Sequence, residues 1–303
     1  MVSIVIVNYN TRDLLLSCLR SIYEKSTPGT FEIVVVDNAS ADGSVEAVQA
    51  KFSEVRVHAL PTNLGFGGAN NVGVALACGE FVLLLNSDTV FMNDAVAAYL
   101  SASRRLGGQT PGALGAQLYD REGKITHSYG WFPRVHEEIL HRLGLRRLPV
   151  EDTTPLGTQD RRVEYVTGAA LFLRTEDFRR IGGFSPRFFM YYEDNELQWR
   201  LWHAGKASFV VSGPRILHLV GQSIARNNIR RTFTAVSKVA YYHLTLGRVG
   251  SLAYRSLFLL LETLLVGLDL LRVNPNYTPR ENGQFLACLV TGSLRYLRMT
   301  HHA

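Results

Sequence analysis

The chain has 303 residues, 47% of them hydrophobic and 19% charged, which excludes a disordered protein and allows one large domain or two modest ones. The net charge of +6 favours an anionic partner: a phosphate-bearing substrate, an anionic membrane surface or nucleic acid. The cysteines Cys18, Cys78 and Cys288 have neither metal-ligand nor disulfide spacing, which is typical of a reducing compartment. Because no signal peptide precedes the first apolar run, we expect a cytoplasmic protein.

Residues 1–90 alternate β-branched runs with helical stretches. Strands are predicted at residues 2–8, 31–37, 55–60 and 81–85. This alternation is typical of a doubly wound α/β sheet, in which ligands bind at the carboxyl ends of the strands. Polar residues follow three of these strands, and we expect them to line one crevice; they are Asn8-Tyr9-Asn10, Asp37-Asn38 and Asn86-Ser87-Asp88.

From about residue 110 the pattern is mixed. A helix is predicted at residues 193–204, and residues 130–161 are predicted to form a long loop or flap. The chain is largely helical after about residue 232. The further strands are predicted at residues 114–119, 162–166, 169–174 and 214–217.

The apolar stretch at residues 249–273 is long enough to suggest a membrane span. Charged residues nevertheless recur along one helix face, as Arg248, Arg255, Glu262 and Asp269. An amphipathic helix that packs on the first domain or on a second subunit is therefore favoured. An interfacial membrane helix is the alternative, and a true span is the least favoured.

Three motifs in the first part of the chain suit a phosphorylated ligand. Asp88 follows an apolar strand and can ligate a divalent cation or cap its turn. Asp37 can accept hydrogen bonds from a nucleoside or cap a turn. The glycine-rich segment 63–71 allows backbone N–H groups to approach phosphate, but Asn70 replaces the last glycine of G-x-G-x-x-G, so a nicotinamide site is not indicated.

The segment 188–200 is the most informative. It contains the carboxylates Glu193, Asp194 and Glu196 beside aromatic residues, and both like charges and apolar walls raise carboxyl pKa values, as a general base requires. Acidic residues also favour helix N-termini, an alternative that applies most to Glu196. His218 follows another predicted strand and is either a metal ligand or structural.

In their order along the chain, these motifs resemble the family 2 glycosyltransferases of the GT-A fold, in particular the bacterial rhamnosyltransferase-like branch. The resemblance covers roughly residues 2–225. It implies a catalytic domain at 1–231, with a nucleotide-binding half at about 1–110 and an acceptor-binding half at about 111–231, and a helical C-terminal region at 232–303. The motifs are residues 5–10, 36–40, 63–70, 86–88, 167–170, 182–184 and 192–194, and His218 with Gly221 and Ser223.

The resemblance implies an inverting enzyme in which Asp194, with Glu193 beside it, is the catalytic base. Asp88 and His218 would bind Mg²⁺ or Mn²⁺. The residues expected to bind the nucleotide sugar are Asn8, Asn10, Asp37, Asn38, Asn63, Gly67, Asn70, Asn86, Ser87 and Asp88. Those expected to contact the acceptor or its phosphates are Gly168, Ala169, Trp199, Arg226, Arg230 and Arg231; a solvated basic face is the alternative for the arginines.

Asn86 stands where the family's D-x-D motif has its first aspartate. The resulting N-x-D motif resembles that of the rhamnosyltransferase-like branch, in which dTDP-L-rhamnose is the usual donor. We therefore expect transfer of L-rhamnose to a lipid-linked or polysaccharide acceptor in cell-surface glycan synthesis. A UDP-hexose or UDP-N-acetylhexosamine donor and a non-catalytic nucleotide-binding module are the alternatives. We expect no nucleic-acid partner. The chain is expected in the cytoplasm or peripherally on the inner membrane through residues 232–303, as a monomer or a homodimer.

Overall fold

The computed structural model describes residues 1–142, 145, 155–219 and 227–271. The chain divides into two compact units, Met1–Pro186 with Glu193–Ser223 and Arg187–Tyr192 with Ile224–Ala303. The functional boundaries near residues 110 and 231 stay a prediction.

The first half of the main sheet is parallel, with the strand order β3 (Arg56–Ala59), β2 (Phe31–Asp37), β1 (Val2–Asn8) and β4 (Phe81–Asn86). Strands β1, β2 and β4 consist mainly of buried apolar residues, as is typical of parallel strands that are covered on both faces, whereas β3 at the edge is largely exposed. The predicted alternation of strand and helix is confirmed here. The elements are β1 (Val2–Asn8), α1 (Arg12–Lys25), β2 (Phe31–Asp37), α2 (Ser44–Lys51), β3 (Arg56–Ala59), α3 (Gly65–Leu76) and β4 (Phe81–Asn86).

The second half of the first unit continues the chain with shorter elements. They are β5 (Thr89–Phe91), α4 (Ala95–Arg105), β6 (Pro111–Tyr119), β7 (Tyr129–Gly130), α5 (Val135–Arg142), β8 (Arg161–Val163), β9 (Tyr165–Val166), β10 (Ala170–Arg174), α6 (Thr175–Arg180), α7 (Glu193–His203) and β11 (Ala207–His218). Strand β10 joins β4 antiparallel, and β6, β11 and β5 follow it in the sheet, with β8 also paired to β11. The sheet of nine strands is therefore mixed, and β7 pairs separately with β9.

Two predictions of local structure need correction. The predicted loop at residues 130–161 contains helix α5 in its described part. The strand predicted at residues 214–217 is the end of β11, which is twelve residues long. Gly213 and Pro214 suggest a break, but a bulge between Val211 and Arg215 takes them into the strand.

Alternating residues of the central strands pack on opposite faces of the sheet. Leu83 and Leu85 of β4 face the side covered by α1 and α4, whereas Val82 and Leu84 face the side that includes Leu197 of α7. With both faces covered, the carboxyl edge of the parallel strands is the part of the sheet that can take a ligand.

The second unit contains α8 (Asn227–Leu271), which Gly247 interrupts with φ 72° and ψ −175°. Within this unit, Phe189 stacks on Phe233 with ring centroids 5.2 Å apart, and Ser237 Oγ donates to Met190 O at 2.8 Å. None of the helices in the described part of the chain combines the length and hydropathy needed to cross a bilayer. The predicted helix at 249–273 lies in α8 as far as Leu271.

Candidate active site

Polar residues at and just beyond the carboxyl ends of β1 and β2 form hydrogen bonds with one another. Asn8 Nδ2 donates to Asp37 Oδ2 at 2.9 Å, and Ser40 N donates to Asp37 Oδ1 at 2.8 Å. Thr11 Oγ1 donates to Asn8 Oδ1 at 2.7 Å and lies 2.8 Å from Ser87 Oγ. Three strand ends thus meet, as the sequence predicts. Asp37 is buried and caps its own turn, and a contact with the nucleoside stays a prediction.

The turns beyond these strands have left-handed backbone at two residues that are not glycine. Asn10 has φ 52° and Ala39 has φ 67°. Asn10 Oδ1 accepts from Ala41 N at 2.8 Å, which ties the first turn to the second. Left-handed backbone at alanine costs conformational energy and concentrates at functional sites.

Asn38 fastens the glycine-rich segment to the end of β2. Its Oδ1 accepts from Leu64 N at 2.8 Å, and its Nδ2 donates to Gly65 O at 3.2 Å. Asn63 Oδ1 accepts from Gly65 N at 2.8 Å. Both predicted asparagines therefore position the start of α3.

Gly67 provides space for a neighbouring side chain. A Cβ atom on Gly67 would lie 2.9 Å from Phe184 Cβ and 3.7 Å from Glu193 Cβ. Asn71, which the sequence analysis did not select, holds Phe184 by two bonds: Nδ2 donates to Phe184 O and Oδ1 accepts from Phe184 N, both at 2.9 Å. The predicted nucleotide-binding helix is thus packed directly against the start of the acidic segment.

The carboxylate of Asp194, at the start of α7, is held by backbone N–H groups. Gly168 N donates to Oδ2 at 2.8 Å and Asn195 N to Oδ1 at 2.9 Å. Burial raises the pKa of Asp194, and these two hydrogen bonds together with the charge of His127 oppose the rise. Asp194 is a partly exposed carboxylate in fixed orientation, the arrangement that a general base needs.

Glu193 is buried next to Asp194. Burial, together with the charge of Asp194, raises the pKa of Glu193 to about 8. Burial thus favours the protonated form of Glu193. Glu193 Oε2 and Asn70 Oδ1 are buried oxygen atoms that have no hydrogen-bond partner within the residues described.

Gln198 is fully buried and joins α7 to β9. Val166 N donates to Gln198 Oε1 at 2.8 Å, and Gln198 Nε2 donates to Val166 O at 2.7 Å. The same amide donates to Asp194 O at 3.1 Å and accepts from Ser208 Oγ at 3.0 Å. Sequence reasoning missed Gln198, although its position one helical turn after Asp194 gave a signal.

Glu196 is paired within its own helix. Arg200 Nε and Nη2 donate to its two oxygens at 2.6 and 2.7 Å, and Arg200 Nη2 also donates to Gly183 O at 2.7 Å. The bidentate pair anchors the loop before the acidic segment, so Glu196 is the least available of the three carboxylates.

Asp88, His218 and Asn86 meet at the ends of β4 and β11. Asp88 Oδ1 lies 3.3 Å from His218 Nε2, and Asn86 Nδ2 lies 3.4 Å from the same nitrogen. Carboxylate, imidazole and amide oxygen atoms are ligands for Mg²⁺ or Mn²⁺, and the amide oxygen and nitrogen of Asn86 are interchangeable. Asp88, His218 and the amide of Asn86 would therefore serve as a partial set of ligands for a divalent cation. Among the described residues, no group of three or more His, Cys, Asp or Glu side chains could hold a metal.

Two backbone hydrogen bonds connect the candidate metal ligands to the candidate base. Asn86 N donates to Ala169 O at 3.0 Å, and the N–H of Gly168, the residue before Ala169, donates to the carboxylate of Asp194. Asn86 of the predicted nucleotide side therefore lies next to Gly168 and Ala169 of the predicted acceptor side.

Comparison with known proteins identifies the family to which the chain is similar. The family model "Glycosyl transferase family 2" matches residues 3–111, and "N-terminal domain of galactosyltransferase" matches residues 154–221. The chain is 29% identical over 219 residues to N-acetylglucosaminyl-diphospho-decaprenol L-rhamnosyltransferase of Mycobacterium tuberculosis, covering 67% of this chain and 71% of the relative. It is a family 2 glycosyltransferase.

This glycosyltransferase is also 29% identical over 166 residues to rhamnosyltransferase WbbL of Escherichia coli, covering 51% of this chain and 60% of the relative. Solved structures share its fold. GalNAc-T7 with UDP, GalNAc and Mn²⁺ has a TM-score of 0.59 at 17% identity, over 80% of this chain and 47% of that chain. Mannosyltransferase PcManGT from Pyrobaculum calidifontis, in complex with GDP-Man and Mn²⁺, has a TM-score of 0.56 at 18% identity, over 98% and 87% of the chains. The GT-A fold predicted from the sequence is confirmed.

Three other residues that the sequence predicts for the acceptor site of the glycosyltransferase lie on helices. Trp199 of α7 is partly exposed, and its ring is tilted against that of His203 with ring centroids 4.0 Å apart. Arg230 and Arg231 belong to α8 in the second unit. Several predictions fall outside the described residues: those on Gly221, Ser223, Arg226, Cys288 and residues 272–303.

Proposed function

We propose that this glycosyltransferase transfers L-rhamnose from dTDP-L-rhamnose to a lipid-linked acceptor that carries N-acetylglucosamine, with inversion at the anomeric carbon. The main observation behind this proposal is the fixed orientation of the Asp194 carboxylate. Gly168 N donates to that carboxylate, and the next residue, Ala169, accepts a hydrogen bond from Asn86 N in the segment that contains Asp88. The activity for which the mycobacterial relative is named supports both the donor sugar and the acceptor class.

Asp194 acts as general base in a single displacement. The acceptor hydroxyl oxygen attacks the anomeric carbon and forms the new C–O bond, while the bond from that carbon to the diphosphate oxygen breaks. Asp194 takes the hydroxyl proton, and dTDP leaves with the bonding electrons. The Gly168 N–H keeps the carboxylate pointing at the acceptor, and the raised pKa of Asp194 strengthens the base.

Asp88 and His218, with Asn86 beside them, would hold Mg²⁺ or Mn²⁺. The cation would supply positive charge where the diphosphate leaves. Mn²⁺ in the complexes of GalNAc-T7 and PcManGT supports this part of the proposal. The proposal also takes in the predicted binding residues. Asn8, Asn10, Asp37, Asn38, Asn63, Gly67, Asn70 and Ser87 serve the donor, and Ala169, Trp199, Arg226, Arg230 and Arg231 serve the acceptor.

A peripheral contact with the cytoplasmic membrane surface belongs to the same proposal, because a polyprenyl acceptor is embedded in lipid. Val249, Leu252 and Leu260 of α8 are exposed apolar residues, and Arg248 beside them is an exposed cation. Apolar residues flanked by arginine are typical of a helix that lies in a membrane interface.

The test is a transfer assay with dTDP-L-rhamnose and polyprenyl-diphosphate-N-acetylglucosamine, with Mg²⁺ or Mn²⁺ and with a chelator. We expect metal-dependent release of dTDP and an inverted anomeric configuration by NMR. UDP-glucose, UDP-galactose and UDP-N-acetylglucosamine serve as competing donors. A clear preference for one of these donors would show that L-rhamnose is not the transferred sugar. Nucleotide binding without transfer to any acceptor would show that the protein is not catalytic.

A further inference from the structure

Four ring side chains form a row in the first unit: His127, Tyr165, Phe132 and Trp202. Consecutive ring centroids are 6.2, 6.4 and 6.1 Å apart. All four residues are partly exposed. Isolated exposed aromatics are ordinary on protein surfaces, whereas a row of neighbouring rings is a feature that needs explanation. We refer to these four residues as the aromatic row.

The backbone holds the row in place. Strand β7 pairs with β9, with Gly130 opposite Tyr165. A Cβ atom on Gly130 would lie 2.7 Å from Tyr165 Oη, so the ring of Tyr165 occupies space that only glycine leaves free. Glu164 accepts from Phe132 N through Oε2 and from Arg134 Nη2 at 2.6 Å through Oε1. The rings of Tyr165 and Phe132 are therefore mounted on a fixed backbone.

One end of the row lies beside the base. Thr167 N donates to Ser128 O at 3.0 Å, which places the segment of His127 next to that of Gly168, the donor to Asp194. Tyr165 Oη lies 3.3 Å from His127 Nε2. Trp202 follows Asp194 by eight residues on α7, a rise of about 12 Å along the helix axis. The row therefore starts at the base and continues for about the length of a disaccharide.

The chemistry of the row suits a saccharide. A pyranose ring has an apolar C–H face that stacks on an aromatic ring, and its hydroxyl groups need polar partners at the ring edges. Tyr165 Oη and the imidazole of His127 supply such partners at one end of the row. At the other end the guanidinium of Arg162 lies over the Trp202 ring, 4.9 Å from its centroid. The row combines flat apolar faces with polar atoms at both ends.

We propose that the aromatic row binds the saccharide of the acceptor, with the attacking sugar near His127 and the following group toward Trp202. The proposal rests on the proposed function, because the role of Asp194 as base decides which substrate lies at this end of the row. It assigns a role to three aromatic residues that the sequence analysis did not select and to part of the segment predicted as a flap.

The test is calorimetric titration of the full chain with N,N′-diacetylchitobiose and with maltose. We expect Phe132→Leu and Trp202→Leu each to raise the dissociation constant of the bound disaccharide by about 2- to 12-fold, the range for loss of one aromatic contact. Phe132→Tyr keeps a ring and should restore affinity. Phe52→Leu is the matched control, because Phe52 is a partly buried ring that stacks on Tyr23 at 5.7 Å.

Unchanged affinity in Phe132→Leu would overturn the proposal. So would an equal loss in Phe52→Leu, or wild-type protein that binds neither disaccharide. Thermal unfolding midpoints identify a variant that has merely lost its fold, in which case Phe132→Tyr decides. Hydrolysis of dTDP-L-rhamnose without acceptor tests the proposed function separately. If the protein binds the disaccharide but does not hydrolyse the donor, the proposed function is wrong. If it hydrolyses the donor but its affinity for the disaccharide does not depend on Phe132, only the proposed role of the aromatic row is wrong.

Discussion

The backbone N–H of Gly168 donates a hydrogen bond of 2.8 Å to Oδ2 of Asp194. A Cβ atom at residue 168 would lie 3.4 Å from the same oxygen, so the approach is close but not strained. Each carboxylate oxygen keeps a lone pair for an incoming proton, because each accepts one backbone N–H. The orientation of the proposed base is therefore set by the backbone N–H of Gly168, from another loop, together with that of Asn195 beside it.

Asp194→Asn should lower kcat by about 10²- to 10⁴-fold, since the amide keeps the shape but accepts no proton. We expect the affinity for dTDP-L-rhamnose to change little. Steady-state kinetics with nucleotide titration checks both. Glu176→Gln is the control, because it makes the same exchange of carboxyl for amide at an exposed side chain of α6 that pairs with Arg180. Near-wild-type turnover in Asp194→Asn would mean that another group takes the proton.

Glu193 should make the folded state less stable as the pH rises. Its pKa is raised from 4.5 to about 8 in the folded protein, so between these values the folded state binds more protons than the unfolded state. The free energy of unfolding then falls with increasing pH, by at most about 1.4 kcal/mol per pH unit. Urea unfolding at pH 5 and pH 8 should show a smaller fall in Glu193→Gln than in the wild type. An equal fall in the free energy of unfolding in the variant and the wild type would show that Glu193 is already ionised in the folded protein at pH 5.

Site residues at strand ends could be predicted from the sequence, whereas contacts between segments that are distant along the chain could not. Asn8 and Asp37 are the last residues of apolar strands and Asp88 follows one, so their convergence follows from the fold alone. Asn71 contacts Phe184 more than a hundred residues away, and no local pattern indicates that pairing. The second half of the sheet was equally hard to predict, because it is antiparallel in part and its pairing depends on long-range contacts.

Gln198→Leu should reduce both stability and catalysis. It leaves the N–H and C=O of Val166 and the hydroxyl of Ser208 without their partner, which we expect to cost roughly 2–4 kcal/mol in the free energy of unfolding. If β9 then moves, Gly168 loses its bond to Asp194 and the pKa of Asp194 rises further.

The acidic limb of the kcat–pH profile should therefore move to higher pH in Gln198→Leu, an effect that simple destabilisation does not produce. Gln49→Leu, at an exposed position of α2, is the matched control. A lower unfolding midpoint with an unchanged pH profile would assign Gln198 to stability alone.

Gly67→Ala separates two roles of the glycine-rich helix. The added Cβ atom would lie 2.9 Å from Phe184 Cβ, closer than carbon atoms normally approach, so we expect a loss of about 1–3 kcal/mol in the free energy of unfolding. Because the same methyl would lie 3.7 Å from Glu193 Cβ, displacement of Phe184 should also disturb the acidic segment and lower kcat. Gly108→Ala is the matched control, since its Cβ would meet no atom within 4 Å. Urea unfolding and kinetics on both variants decide the point. If Gly67→Ala keeps the wild-type stability and only raises KM for the donor, the glycine is needed for binding the donor's phosphates and not for the packing of Phe184.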